Sequence, residues 1–145
     1  MKVFLDTNVF LEYFQHRDQY KAVSGILDAV EDKRIKAVLS VGGIYTLAYL
    51  VRVELKKKEI YRPEQTARLR NILNNIMELA TVKGISHKRT KAAINDLAFD
   101  DIEDSFQHQC AVENKCDVII TINKKHFPCK DIKVMTPQEF LDSLN

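Results

Sequence analysis

Asp6 closes a short apolar run, Val3-Phe4-Leu5, and is followed at once by Thr7-Asn8 and a helical-looking stretch, Val9 to Phe14. A carboxylate at the carboxyl end of a buried parallel strand occupies the place where open α/β sheets put their ligands. A second acidic group, Asp100-Asp101-Ile102-Glu103-Asp104, opens a helical segment that leads to the apolar run Val118-Ile119-Ile120-Thr121, with Asn123 just beyond. Asp101 and Asp104 are three residues apart, so they share one helix face near its start, where the helix dipole favours ionised carboxylates. Acids meeting at strand ends suit a hard divalent cation, and with it phosphodiester chemistry. The competing reading of each acid is structural: Asp101 as a helix N-cap, Asp104 as a first-turn acid, and Asp6 or Thr7 as the cap of the first helix.

The elements that must position these groups alternate between the two periods. Strands are expected at 2–5, from Lys36 to Leu39 with Ser40 at its end, at 78–82, at 117–121 and at 133–135. Helices are expected at 8–15, 19–33, 42–58, 63–75, 86–97 and 101–114, and the capping box Thr136-Pro137-Gln138-Glu139 opens a last one. This pattern predicts a single-domain α/β/α sandwich over residues 1–145, with a parallel sheet covered by helices on both faces. The strands ending at Leu5 and Thr121 should be neighbours, bringing Asp6, Asp101 and Asp104 together with Asn123 on the rim.

Composition narrows the function classes. A chain of 145 residues with 46% hydrophobic and 29% charged residues is an ordinary globular protein. No apolar stretch approaches the roughly 20 residues that span a bilayer. Asp6 and Glu12 interrupt any signal-like apolar start, which places the protein in the cytoplasm. Cys110, Cys116 and Cys129 are odd in number and lack C-x-x-C spacing, so neither a disulfide framework nor a zinc site is expected, and Cys110 reads as a small core residue. The net charge of +2 alone does not imply nucleic-acid binding. The clusters Lys56-Lys57-Lys58, His87-Lys88-Arg89-Lys91 and Lys124-Lys125 read either as solvated helix ends or as phosphate contacts.

Taken in order, Phe4-Leu5-Asp6-Thr7-Asn8-Val9-Phe10, then Ile102-Glu103-Asp104-Ser105-Phe106-Gln107, then Ile119-Ile120-Thr121-Ile122-Asn123-Lys124-Lys125-His126-Phe127, and finally Thr136-Pro137-Gln138-Glu139-Phe140 resemble the PIN-domain family. That family includes metal-dependent ribonucleases, among them VapC-type toxins of toxin–antitoxin pairs. The resemblance implies Mg²⁺ or Mn²⁺ as cofactor, RNA as substrate, an antitoxin protein as partner, a homodimer and no membrane. Carried over by position, it makes Asp6, Asp104 and Asp101 the metal ligands. Asn123 joins them in catalysis, with Thr7, Asn8 and Thr121 in support. Two positions depart from the family pattern: Thr46 stands where a second acid is usual, and Asn123 where a fourth is usual. Glu12, Glu54 and Glu103 are the possible substitutes, with Glu54 too far along its helix and Glu103 turned about 100° from Asp104. Gln107, His108 and His126 are weaker candidates for facing the site. Two rival readings remain: a PIN-fold binding module that has lost efficient cleavage, and a phosphatase or phosphoacceptor domain. The phosphatase reading is disfavoured because Asn8 stands where a second Asp would be needed.

Overall fold

The computed structural model describes residues 1–145. Five strands form one parallel sheet in the order β3-β2-β1-β4-β5: β1 (Lys2–Leu5), β2 (Lys36–Ser40), β3 (Ala80–Lys83), β4 (Val118–Ile120) and β5 (Lys133–Met135). β1 is central and pairs with both β2 and β4, with Leu5 opposite Ile120. The chain winds outward from β1 through β2 to β3, then returns to start again at β4. The crevice between the carboxyl ends of β1 and β4 is therefore the topological switch point, the usual ligand position in such sheets.

Strand alternation divides the core in two. Val3, Leu5, Ala37, Leu39, Val118 and Ile120 point into the larger cluster. They meet side chains of α1 (Thr7–Phe14), α2 (Tyr20–Glu31), α3 (Val41–Lys57), α4 (Glu64–Leu79) and α7 (Pro137–Leu144) there. Phe4, Val38 and Ile119 point the other way, against Cys110 and Ala111 of α6 (Ile102–Glu113), Phe99 and Phe127. The short α5 (His87–Ile94) packs on α6. Both faces of the sheet are covered, which is why the strands read as unbroken apolar runs.

The sequence expectation holds for every element, with shifts at the ends. α4 continues four residues past the expected Asn75, to Leu79, and β3 follows with no connecting loop. α5 ends at Ile94, where Asn95 folds its side chain back onto the Lys91 carbonyl at 2.8 Å. A competing local bond of this kind ends helices. The Thr136–Glu139 capping box is present in both directions.

Candidate active site

β1 delivers Asp6 into the switch-point crevice, with only 2% of the residue exposed. Asp6 is the residue before α1, yet its side chain makes no cap bond. Its oxygens are used elsewhere: Oδ2 accepts from Thr121 Oγ1 at 2.8 Å and Oδ1 from Gln107 Nε2 at 3.0 Å. The capping explanation for this acid is thereby removed. Burial pushes its pKa up, and the bonds from Thr121 and Gln107 and the Asn8 backbone only partly offset this.

Asp104 comes from the first turn of α6 and is itself buried. Gln107, one turn on, joins the two acids, because Nε2 also lies 3.4 Å from Asp104 Oδ1. The Gln107 oxygen accepts from the Thr7 backbone N–H at 3.1 Å and from its hydroxyl at 3.3 Å. One amide thus ties α6 to the start of α1 and to both carboxylates. Sequence reading ranked Gln107 low; its i+3 spacing from Asp104 was the available signal. The Asp104 pKa is raised to about 6, first by desolvation and then by the negative charges of Asp6, Asp101 and Glu103. A helix N-terminus favours an ionised acid, but here burial and like charge prevail.

The rim is arranged differently. Asp101 is exposed and caps α6, accepting from the Glu103 N–H at 2.8 Å, so the cap reading is realised, although its charge still reaches Asp104. Asn123 is exposed; its Oδ1 caps the 3-10 turn Lys124–His126 through the Lys125 N–H at 3.1 Å. Its Nδ2 donates to His126 Nε2 at 3.3 Å. The other ring nitrogen, Nδ1, faces Asp104 Oδ2 at 3.8 Å. Asn8 is exposed and lowers the Asp6 pKa through its backbone. Thr121 also accepts from the Asn123 N–H at 3.2 Å, which fixes its hydroxyl hydrogen toward Asp6.

The positions without a usual acid resolve unequally. Thr46 on α3 donates to Glu103 Oε1 at 3.2 Å. A carboxylate therefore does stand beside Thr46, supplied by α6 across the crevice. Gly43 lets the start of α3 sit close to the ends of β2 and β1, where a Cβ would meet Leu39 Cδ1 at 2.9 Å, Ser40 Oγ at 3.0 Å and Thr7 Oγ1 at 3.1 Å. Three other candidates lie outside the site. Glu12 is buried and accepts from the Gln19 N–H at 3.0 Å, closing the loop after α1. Glu54 pairs with Lys57 in solvent at 3.4 Å. His108 is buried and turned to Asp131 at 2.7 Å.

The family model described as PIN domain matches residues 2–125. This chain belongs to the PIN-domain family. A curated relative, Ribonuclease VapC1 of Aquifex aeolicus (strain VF5), is 26% identical over 99% of this chain and 96% of its own length. Among solved structures, FitAcB from Neisseria gonorrhoeae superposes with a TM-score of 0.65 at 22% identity, covering 94% of this chain and 98% of its own. VapBC2 from Rickettsia felis, bound to a DNA fragment from its promoter, gives 0.61 at 15% identity over 93% of this chain and 97% of its own. A toxin–antitoxin complex from Klebsiella pneumoniae gives 0.59 at 22% identity, with the same coverage of 93% and 97%. These structures share the α/β/α fold of this PIN domain.

Proposed function

We propose that this PIN domain, spanning residues 1–145, is a metal-dependent endoribonuclease and the toxin of a toxin–antitoxin pair. The observation that carries the reading is the Asp6–Gln107–Asp104 bridge at the switch point, where two carboxylates are held together in a buried crevice. The likeness to a VapC1 ribonuclease over nearly the whole chain supports the same activity.

The donor set fits a hard divalent cation. Asp104 has three carboxylates raising its pKa and only His126, at 3.8 Å, to balance them. Asp6 and Asp104 would hold Mg²⁺ or Mn²⁺, with Asp101 adding charge and Glu103 offering an oxygen from the Thr46 side. Such an ion would supply Lewis acidity to water and to the scissile phosphate. The chain's own groups do the positioning. Gln107 and Thr121 fix the orientation of the Asp6 carboxylate, and Gln107 sets its distance from Asp104. Asn123 orients the His126 ring, and exposed Lys125 on the same turn offers a cationic side chain for a phosphate contact, while Lys124 pairs with Glu139 at 3.1 Å. Hydrolysis would form a bond from a water oxygen to phosphorus in line with the P–O bond that breaks, the departing ribose oxygen taking up a proton and the water's proton passing to solvent.

The likeness to toxin–antitoxin structures supports an antitoxin partner, and a homodimer is part of the same proposal by resemblance to the family. No helix is long and apolar enough to cross a membrane, which accords with a cytoplasmic site of action. The competing reading, a PIN module that binds without cutting, is favoured by Asn123, whose amide is occupied in the turn. Incubation of RNA with Mg²⁺, Mn²⁺ or chelator decides between them. Cleavage that requires the ion and disappears with chelator is expected; binding of RNA with no cleavage under any ion overturns the ribonuclease reading.

A further inference from the structure

One turn along α6 from Asp104, three side chains of different chemistry converge. His108 of α6 and Cys129 and Asp131 of the segment before β5 each offer a ligand atom, all within 4.8 Å of one another. His108 Nε2 lies 2.7 Å from Asp131 Oδ1, and its ring packs against Phe99 with centroids 5.3 Å apart. The residue is only 5% exposed, and Nδ1 is buried with no hydrogen-bond partner. No other buried side-chain nitrogen or oxygen in the chain is left in this condition. The ring thus has one nitrogen on Asp131 and one without a partner, with the Cys129 sulfur beside it.

We propose that His108, Cys129 and Asp131 form a second cation site, taking a borderline transition ion of the Zn²⁺ class. Imidazole and thiolate prefer such ions, whereas the carboxylates around Asp6 prefer Mg²⁺ or Mn²⁺. Around a tetrahedral ion with bonds of about 2.0–2.3 Å, ligand atoms sit roughly 3.3–3.8 Å apart. With all three ligand atoms within 4.8 Å, no separation closes by more than about an ångström, and the 2.7 Å His108–Asp131 pair opens by about half of one if both atoms bind, shifts within reach of Cys129 and the exposed Asp131. Without an ion the Cys129 thiol is pushed up to about 11 by burial and by the charges of Asp131 and Asp96. A bound cation reverses that balance: the sulfur coordinates as thiolate and its proton is released to solvent. The ion would pin the segment after the Lys124–His126 turn to α6, fixing the rim of the active site from behind.

Co²⁺ is the probe, titrated into the full, reduced chain. One equivalent should give visible d–d bands and a near-ultraviolet thiolate-to-cobalt band, both lost on adding Zn²⁺ and retained in excess Mg²⁺. Cys129→Ser should abolish the thiolate band, while Cys116→Ser and Asp6→Asn leave it intact. Asp131→Asn, at an exposed position, should weaken Co²⁺ binding about 10- to 100-fold, whether it binds the ion or orients His108. Absence of the band in the wild type overturns the proposal. So does a band that survives Cys129→Ser, or one that Asp6→Asn removes. The Asp6→Asn arm keeps this result separate from the ribonuclease reading.

Discussion

At the strand end, Asp6 is enclosed by protein donors; at the helix start, Asp104 is surrounded by other acids. Both carboxyls are held above their ordinary range, but for different reasons. Asp6 is raised by burial alone, and every specific neighbour acts against that burial. Asp104 is raised by burial and further by Asp6, Asp101 and Glu103. The inner wall is thus a fixed carboxylate whose orientation Thr121 and Gln107 decide, while the outer wall is a concentration of negative charge. A site of this type needs both: geometry from the strand end and charge from the helix start.

The largest effect should come from removing either wall. Asp6→Asn and Asp104→Asn should each lower metal-dependent RNA cleavage about 100- to 1,000-fold, since metal-stabilised charge contributes several kcal/mol to the barrier. Single-turnover cleavage rates with Mn²⁺ check this, and a loss under tenfold for Asp6→Asn would break the assignment of the inner wall.

Gln107→Ala comes next, at about 10- to 100-fold, because it removes the group that orients both ligands without touching their charge. If Gln107 positions the acids, added Mn²⁺ should restore part of the rate. A loss that no ion concentration repairs would give Gln107 a role on the substrate instead.

The two walls also differ in how they respond to pH. The folded Asp104 pKa of about 6 lies above the ordinary 3.8, so the folded state holds more protons between those values. In metal-free buffer, stability should therefore fall as pH rises from 3.8 towards about 6. Asp6, also raised, contributes in the same direction. Asp104→Asn should flatten this slope and raise the metal-free melting temperature at neutral pH. Thermal denaturation across that range in chelator tests it, and an unchanged slope in the variant would show that the raised Asp104 carboxyl is not what sets the slope.

Smaller effects should come from the rim. Glu103→Gln should reduce Mn²⁺ affinity several-fold, since a hard cation gains less from an amide oxygen. Thr46→Glu places a new acid against the Glu103 carboxylate that Thr46 now hydrogen-bonds. It should raise the Asp104 pKa further before it improves binding. Asn123→Asp should have the smallest effect, because its oxygen already caps the Lys124–His126 turn and an aspartate would keep that bond. Calorimetric Mn²⁺ titrations of the three variants rank them, and an Asn123→Asp gain larger than the Glu103→Gln loss would reverse the order of the rim.

The strands were legible because each is an apolar run ended by a polar residue, and Asp6 and Asp104 were legible because each sits at the end or start of such an element. The contact between Glu103 and Thr46 was not legible. It joins residues 57 apart in sequence on two separate helices, and local pattern carries no record of their approach. His108 reads as a hydrogen-bonded helix residue more readily than as a site residue, and it is hydrogen-bonded; its partner Asp131, 23 residues downstream in a segment with no periodicity to read, is what the sequence does not name. Asp101 and Asn123 were found by position, yet each side chain is engaged in a local cap that sequence alone leaves as one option among several.

The most direct test of the two-wall account is Mn²⁺ binding by calorimetry at pH 7.5, comparing wild type with Asp6→Asn and Asp104→Asn in folded, metal-free protein. The account predicts measurable binding in the wild type and at least tenfold weaker binding in each variant. Wild-type affinity in either variant would contradict it, because the ion would then sit elsewhere and the bridged carboxylates would not be its site.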